Sequence, residues 1–113
     1  MILIIGGKGA GKLDYLRSLG YRDEDIAVSV LDEKPALHGL EEIIFAAPER
    51  AMELIPKLRE KEAITCCETG SGIIPVDKKE REGREATGRV CAALAKEAER
   101  VVRLVCGIPT VIK

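Results

Sequence analysis

Apolar runs and amphipathic stretches alternate along the first third of the chain. Residues 1–5 form a continuous aliphatic run that stops at a pair of glycines, which is typical of a strand buried on both faces. Leucines then recur at helical spacing, which predicts a helix over 11–19 that is capped by Gly20. After a polar loop, alternating apolar residues predict a second strand over 26–31.

The middle of the chain mixes helical and strand signals. Apolar positions from Leu37 to Ile44 suit one face of a helix. Pro48 predicts the start of a further helical stretch, which Pro56 would break or kink. The short apolar run 63–67 predicts a buried strand that leads into a glycine-rich turn.

The last third of the chain predicts the longest helix and a pair of strands. An apolar stripe predicts a helix over 78–98, followed by a strand over 101–106. Gly107-Ile108-Pro109 is a tight break before a short strand over 110–113, and this connection leaves an antiparallel final pair open. Alternating strands and helices favour a single α/β domain over 1–113, a three-layer, P-loop NTPase-like fold with a mainly parallel sheet and an antiparallel carboxyl-terminal edge as an option.

The strongest chemical signal lies between the first strand and the first helix. The sequence GGKGAGKL matches the phosphate-binding pattern G-x-x-x-x-G-K and departs from it only where Ser or Thr normally follows the lysine. Glycines let successive backbone N–H groups converge on phosphate oxygens, and the lysine would reach the β- and γ-phosphates. The alternative is a glycine-rich turn with an incidental lysine. The predicted phosphate-binding residues are Gly6, Gly7, Lys8, Gly9, Ala10, Gly11, Lys12 and Leu13.

Leu13 stands where a hydroxyl normally ligates Mg²⁺. Three interpretations stay open: the metal is held by water and another carboxylate, it is not needed, or the site binds a nucleotide without efficient catalysis. Mg²⁺ usually keeps several waters, so one missing ligand does not exclude it.

Glu68 is the second candidate, because it follows a predicted core strand. Ligands of open parallel sheets gather at the carboxyl ends of the strands, so this carboxylate is placed to orient Mg²⁺, directly or through water. The alternative is an ordinary loop glutamate. The adjacent glycines, Gly70 and Gly72, indicate a close approach of the backbone to a ligand.

The remaining polar residues carry weaker signals. His38 is interpreted as an exposed or structural histidine on a helix. Lys79, Arg81 or Arg84 could lean over phosphates, although the charged run around them suits a solvated helix face. The four cysteines contain no Cys-x-x-Cys pair, and we expect them to be buried thiols rather than a zinc site.

Composition narrows the class of function. The net charge is −1 and there are only one Phe, two Tyr and no Trp, so neither a basic footprint nor a stacking platform for nucleic acid is present. No apolar run approaches the ~20 residues that cross a bilayer, and the amino terminus has no signal-peptide pattern. We therefore expect a cytoplasmic protein.

Two blocks of sequence resemble the adenosylcobinamide kinase/adenosylcobinamide-phosphate guanylyltransferase family of cobalamin biosynthesis. The first is the opening strand with its glycine loop, up to Lys12. The second runs from Ile64 through Glu68-Thr69-Gly70-Ser71-Gly72-Ile73-Ile74-Pro75 and the arginines Arg81, Arg84 and Arg89 to Gly107-Ile108-Pro109. The resemblance covers about half the chain. It implies a P-loop fold, ATP or GTP as the donor with Mg²⁺, a corrinoid alcohol as the acceptor, and a homo-oligomer.

The chain also departs from this family. The family's guanylyl transfer uses a histidine in an arginine-rich segment, and residues 17–35 contain no histidine. An asparagine expected on the long helix is Cys91, and the chain is shorter than the bifunctional enzymes. The resemblance therefore implies a kinase for the adenosylcobinamide hydroxyl without guanylyltransferase activity, with Lys12 and Glu68 as its catalytic residues. The alternatives are a reduced paralogue that binds a nucleotide or corrinoid and acts through a partner or oligomer, and a structural remnant with an empty loop.

Overall fold

The structure, a computed structural model, describes residues 1–68 and 77–113. The predicted glycine-rich turn after Glu68, including Gly70, Gly72 and Pro75, lies outside the described residues. The strands are β1 Ile2–Gly6, β2 Ile26–Val28, β3 Ala36–His38, β4 Ala63–Cys67, β5 Arg100–Val105 and β6 Ile108–Val111. The helices are α1 Lys12–Ser18, α2 Leu40–Ala46, α3 Ile55–Leu58 and α4 Lys78–Glu97, with 3₁₀ segments at Asp23–Asp25 and Pro48–Leu54.

The strands form one sheet in the order β2-β3-β4-β1-β5-β6. All neighbouring strands are parallel except β5 and β6, which pair as an antiparallel hairpin. Two residues with positive φ, Cys106 (51°) and Gly107 (76°), make the hairpin turn. The predicted α/β fold with a mainly parallel sheet and an antiparallel edge is confirmed.

Helices cover both faces of the sheet, since successive side chains along its strands point to opposite faces and both faces are apolar. Leu3 belongs to the larger hydrophobic cluster, which α2, α3 and α4 cover, whereas its neighbour Ile4 belongs to the smaller cluster beneath α1. The result is the three-layer arrangement of a P-loop-like fold. In the described part of the chain, no helix is both long and apolar enough to cross a membrane.

The long helix and most strands form where the periodicity places them. Helix α4 buries Ala86, Val90 and Leu94, which lie on the predicted stripe. It begins after Asp77, whose carboxylate accepts a hydrogen bond from the Lys79 N–H at 3.0 Å, so the amino-terminal capping group is a side chain. The predicted break at Pro56 appears as the change from the 3₁₀ segment to α3, next to that proline.

The predicted helix across Leu37 was wrong. Residues 36–38 form strand β3, and α2 begins only at Leu40, after Gly39 turns the chain with φ of 89°. Both leucines are fully buried, but on different elements, which made their spacing look helical. The predicted second strand is also shorter than expected: it ends at Val28, and Val28 and Val30 are exposed.

The prediction that all four cysteines are buried was only partly correct. Cys66 is fully buried, Cys67 and Cys91 are partly buried, and Cys106 is exposed in the hairpin turn. A hydrogen bond with Cys91, together with burial, raises the pKa of the Cys66 thiol far above its ordinary value. Cys66 is therefore a neutral thiol that packs as a small apolar side chain.

Candidate phosphate-binding site

The glycine-rich sequence forms a compact loop between the carboxyl end of β1 and the start of α1. The Ala10 N–H donates to the Gly7 carbonyl at 3.1 Å, which closes a turn inside the loop. Gly11 precedes α1 with φ of 90°, a conformation that glycine adopts without strain. Strand, loop and helix thus follow one another as the phosphate-binding pattern requires.

Lys12 folds back over the loop that precedes it. Its side chain is only 7 % exposed, and Nζ donates to the carbonyls of Gly6 at 3.1 Å and Gly7 at 2.8 Å. A buried ammonium is stable only when its protons have acceptors, and these carbonyls supply them. The cation is therefore held at the loop, where an anion would meet it.

The loop is also held from the side by the β5–β6 hairpin. The Gly107 N–H donates to the Ala10 carbonyl at 2.9 Å. A Cβ at Gly6 would lie 2.9 Å from the Leu104 carbonyl oxygen, which no real side chain tolerates, so close packing of the loop on β5 requires glycine there. Two segments singled out in the sequence, the loop and Gly107-Ile108-Pro109, are thus in direct contact.

A cleft of about 970 Å³ opens above the loop at the carboxyl edge of the sheet. This is where ligands bind to open parallel sheets. Its volume is in the range of small-molecule sites. The side chains that line it come from the loop, β3, α2, β4 and α4, and include Lys12, Leu13, His38, Glu41, Glu68 and Arg84.

Glu68 follows β4 and lines the cleft, as the sequence predicted. Its Oε1 lies 2.7 Å from Arg103 Nε in an ion pair, and its Oε2 accepts a hydrogen bond from Arg103 Nη2 at 3.3 Å. The Glu68 N–H donates to the Gly6 carbonyl at 2.9 Å, so the residue is fixed beside the loop. The carboxylate is thus engaged on both oxygens by a guanidinium that the sequence analysis did not single out.

Glu41 is a site residue that sequence reasoning missed. It lies in the first turn of α2, and its Oε1 accepts from the Cys67 N–H at 2.8 Å. The bond ties the start of α2 to the end of β4 and fixes a second carboxylate in the cleft. The only local signal was its position just after Gly39, which reads as a strand-to-helix turn once β3 is recognised.

His38 lies in the cleft rather than on a helix. It ends β3 and is partly buried, and its Nδ1 lies 2.7 Å from Thr65 Oγ1. Burial lowers the pKa of the imidazole, the Glu41 carboxylate opposes this and raises it, and the Lys12 ammonium lowers it again. The net shift is downward, so the ring is neutral at pH 7.

Among the three basic residues proposed to lean over phosphates, Arg84 lines the cleft. Arg84 is half-buried and lies 3.9 Å from Glu80 of the same helix, at a separation that contributes little to stability. Lys79 and Arg81 are exposed on the first turns of α4 and are not among the cleft residues. Phe45 of α2 completes this wall, packed on Gly83 of α4.

One family model matches the chain. It describes the cobinamide kinase / cobinamide phosphate guanyltransferase family and covers residues 25–112. The chain belongs to this family. The match includes Glu68 and Gly107 but not the glycine loop at 6–13, so the loop is supported by its pattern and geometry. A comparison with curated proteins found no match.

Membership of the cobinamide kinase family confirms the resemblance seen in the sequence. It connects the chain with cobalamin synthesis and with nucleotide and corrinoid substrates. The matched part contains β3, α2, β4 and α4, the elements that carry His38, Glu41, Glu68 and Arg84 around the cleft.

Proposed function

We propose that the chain binds ATP or GTP through residues 6–13 and phosphorylates the side-chain hydroxyl of adenosylcobinamide. The observation that carries the proposal is the loop itself, which lies between β1 and α1 with Lys12 folded over it, at the floor of the cleft. Backbone N–H groups of the loop would bind the phosphate oxygens. On binding, Lys12 Nζ would exchange the Gly6 and Gly7 carbonyls for phosphate oxygens.

The reaction needs little covalent chemistry from the protein. The acceptor hydroxyl oxygen attacks the γ-phosphorus, the bond between γ-phosphorus and the bridging oxygen breaks, and the nucleoside diphosphate leaves with that electron pair. The hydroxyl proton passes to solvent or to the new phosphate. Lys12 would stabilise charge on the transferred group, so the chain's work is positioning and electrostatic stabilisation.

Mg²⁺ fits this cleft only as a companion of the nucleotide. Leu13 offers no side-chain oxygen, both Glu68 oxygens lie against the Arg103 guanidinium, and the described residues contain no cluster of three metal-ligating side chains. The phosphates and water would therefore supply most ligands, with Glu68 reaching a bound water. The ion would neutralise phosphate charge.

The state of Leu13 and Glu68 also favours a second function. Leu13 lies in the cleft, and the Glu68 carboxylate is paired with Arg103. Among residues 1–68 and 77–113, no cluster of three metal-ligating side chains is present. A reduced paralogue that binds a nucleotide or corrinoid and acts through a partner would need none. This candidate predicts tight nucleotide binding without metal dependence or turnover.

We further propose that guanylyl transfer is absent. The segment after α1 contains no histidine. The single histidine of the chain, His38, ends β3 and is hydrogen-bonded to Thr65 of β4. GTP labelled in its α-phosphate should leave no label on the protein and none on the corrinoid.

The deciding experiment follows transfer of labelled γ-phosphate from ATP or GTP to adenosylcobinamide in the presence of Mg²⁺. We expect a labelled corrinoid phosphate, lost in Lys12→Ala and retained in Lys57→Ala, which removes an exposed lysine of α3 that does not line the cleft. Nucleotide hydrolysis without labelled corrinoid would contradict the kinase. Binding without any turnover would favour the reduced paralogue.

The proposed homo-oligomer is supported by the sheet edge at β6. Four apolar side chains are exposed on the β5–β6 hairpin and directly after it, with Ile108 at 68 %, and an exposed apolar cluster of this kind marks an interaction surface. The four are Val105, Ile108, Val111 and Ile112. Analytical ultracentrifugation of Ile108→Lys beside the wild-type protein tests whether this edge is an interface.

A further inference from the structure

His38 enters the cleft from a rigid support. Its carbonyl accepts from the Ser29 N–H at 2.8 Å, and β3 pairs with strands on both sides. The next residue, Gly39, donates its N–H to Thr65 Oγ1 at 3.0 Å. The imidazole is therefore held at a fixed position in the wall of the phosphate-binding cleft.

The hydrogen bonds of Thr65 determine where the imidazole carries its proton. Thr65 is fully buried, and its Oγ1 contacts the Gly39 N–H and His38 Nδ1. Gly39 can only donate, so Oγ1 accepts that bond. The hydroxyl hydrogen then has His38 Nδ1 as its one acceptor among residues 1–68 and 77–113. A buried hydroxyl hydrogen without an acceptor is unfavourable, so Nδ1 accepts it, and a neutral ring then holds its proton on Nε2.

Two cationic and two anionic side chains face His38. Lys12 and Arg17 face it from α1, and Glu41 and Glu42 face it from α2. Burial is the largest influence on the ring and lowers its pKa, so the imidazole is neutral at pH 7. Because Nδ1 is committed to Thr65, the opposite ring edge, with Nε2, is the part free to meet a ligand in the cleft.

We propose that His38 is a further phosphate-binding residue that donates its Nε2–H to an oxygen of the phosphate group bound above the glycine loop. This role rests on the proposed function, because it needs a phosphate in the cleft. A neutral Nε2–H is a donor only and binds an acceptor such as a phosphate oxygen, beside the charged donor Lys12. In this tautomer His38 cannot take a proton from the acceptor hydroxyl through Nε2, so it positions phosphate and is not the base.

The chain allows a direct test because it has a single histidine. Nitrogen-15 NMR of the tag-free protein at pH 7 reads the protonation of both ring nitrogens without overlap. We expect an unprotonated Nδ1 and a protonated Nε2, and a shift of the Nε2 signal when ATP or inorganic phosphate is added. A proton on Nδ1, or a ring that does not respond while calorimetry shows ATP binding, would overturn the inference and leave the nucleotide site intact.

Matched variants separate the ligand role from a structural one. His38→Ala should weaken ATP binding about tenfold, the usual effect of losing one hydrogen bond to a charged group, whereas His38→Gln keeps an N–H donor and should retain most affinity. Thr65→Val should release the tautomer and produce a mixture by NMR, whereas Thr65→Ser should keep the Nε2–H form. Equal affinity of His38→Ala and the wild type would refute the role of His38. Absence of ATP binding by the wild type would refute the proposed function and this role together.

Discussion

Gly39 is the position where adding a single methyl group should most clearly disturb the turn between β3 and α2 beside the cleft. It has φ of 89°, and a Cβ built there would lie 2.8 Å from Ser29 Oγ. Gly39→Ala therefore combines two costs, a left-handed backbone for alanine and a steric overlap. The same residue donates the N–H that fixes Thr65, so its displacement would reach His38.

The expected magnitude follows from these two costs. A left-handed conformation costs a non-glycine residue about 1–2 kcal/mol. Overpacking against Ser29 adds roughly 1–2 kcal/mol, since its Oγ is the end of a short side chain that can turn only partly away. Gly39→Ala should therefore lower the free energy of unfolding by about 2–4 kcal/mol, a large share of the roughly 5–15 kcal/mol typical of a domain.

Urea denaturation followed by circular dichroism measures this loss, and the chain offers a matched control. Gly20 has a similar φ of 104°, but a Cβ there would meet nothing within 4 Å, so Gly20→Ala isolates the backbone cost. The double variant Ser29→Ala/Gly39→Ala removes the overlapping oxygen and should recover about 1 kcal/mol. Equal losses for Gly39→Ala and Gly20→Ala, without recovery in the double variant, would refute the steric argument.

Other predictions concern α4, a buried lysine and the histidine. Gly83→Ala should destabilise the fold by about 1–3 kcal/mol, because its Cβ would lie 2.6 Å from the Phe45 ring, whereas Gly88→Ala on the same helix meets open space and should stabilise the fold by about 0.5–1 kcal/mol. Thermal unfolding compares the two variants, and stability changes of the same sign would contradict the close packing of Gly83 on Phe45. Lys61 is 8 % exposed and its Nζ donates to two backbone carbonyls, so Lys61→Met should cost about 1–3 kcal/mol of unfolding free energy while ATP affinity, measured by calorimetry, stays unchanged. Because the pKa of His38 is lower in the folded state than its ordinary value of 6.5, the unfolded chain takes up the proton first, and the folded state loses stability as pH falls below 6.5. Between pH 7 and pH 5 the unfolding free energy of His38→Gln should therefore fall less than that of the wild type, and parallel profiles would contradict this.

The sequence was sufficient for the elements whose signals are long or punctuated. The aliphatic run of β1 stops at glycines, and the loop and α1 follow directly, so their order was readable. Helix α4 spans 20 residues, long enough for its apolar stripe to be unambiguous. The short Gly-Ile-Pro break also left the antiparallel hairpin as an option, and the structure adopts it. The turn itself lies at Cys106 and Gly107, and the last strand begins at Ile108 rather than at Thr110.

Strand β3 was hidden because it has only three residues. A segment this short carries no period of its own, and Leu37 aligned with the leucine and isoleucines of α2. Missing β3 also concealed that His38 and Glu41 reach the cleft, since their positions depend on the turn at Gly39. The Arg103–Glu68 pair depends on the register of β5 and β1, where Arg103 lies beside Ile5, and this tertiary alignment is not encoded locally.

Isothermal titration with ATP and GTP, each with and without Mg²⁺, is the most direct test that residues 6–13 hold a nucleotide phosphate. We expect binding that is weakened at least about tenfold in Lys12→Ala and is unchanged in Lys57→Ala, because Lys12, unlike Lys57, is held at the loop. The absence of heat with either nucleotide at millimolar concentration, or equal affinities for the wild type and Lys12→Ala, would contradict the phosphate site.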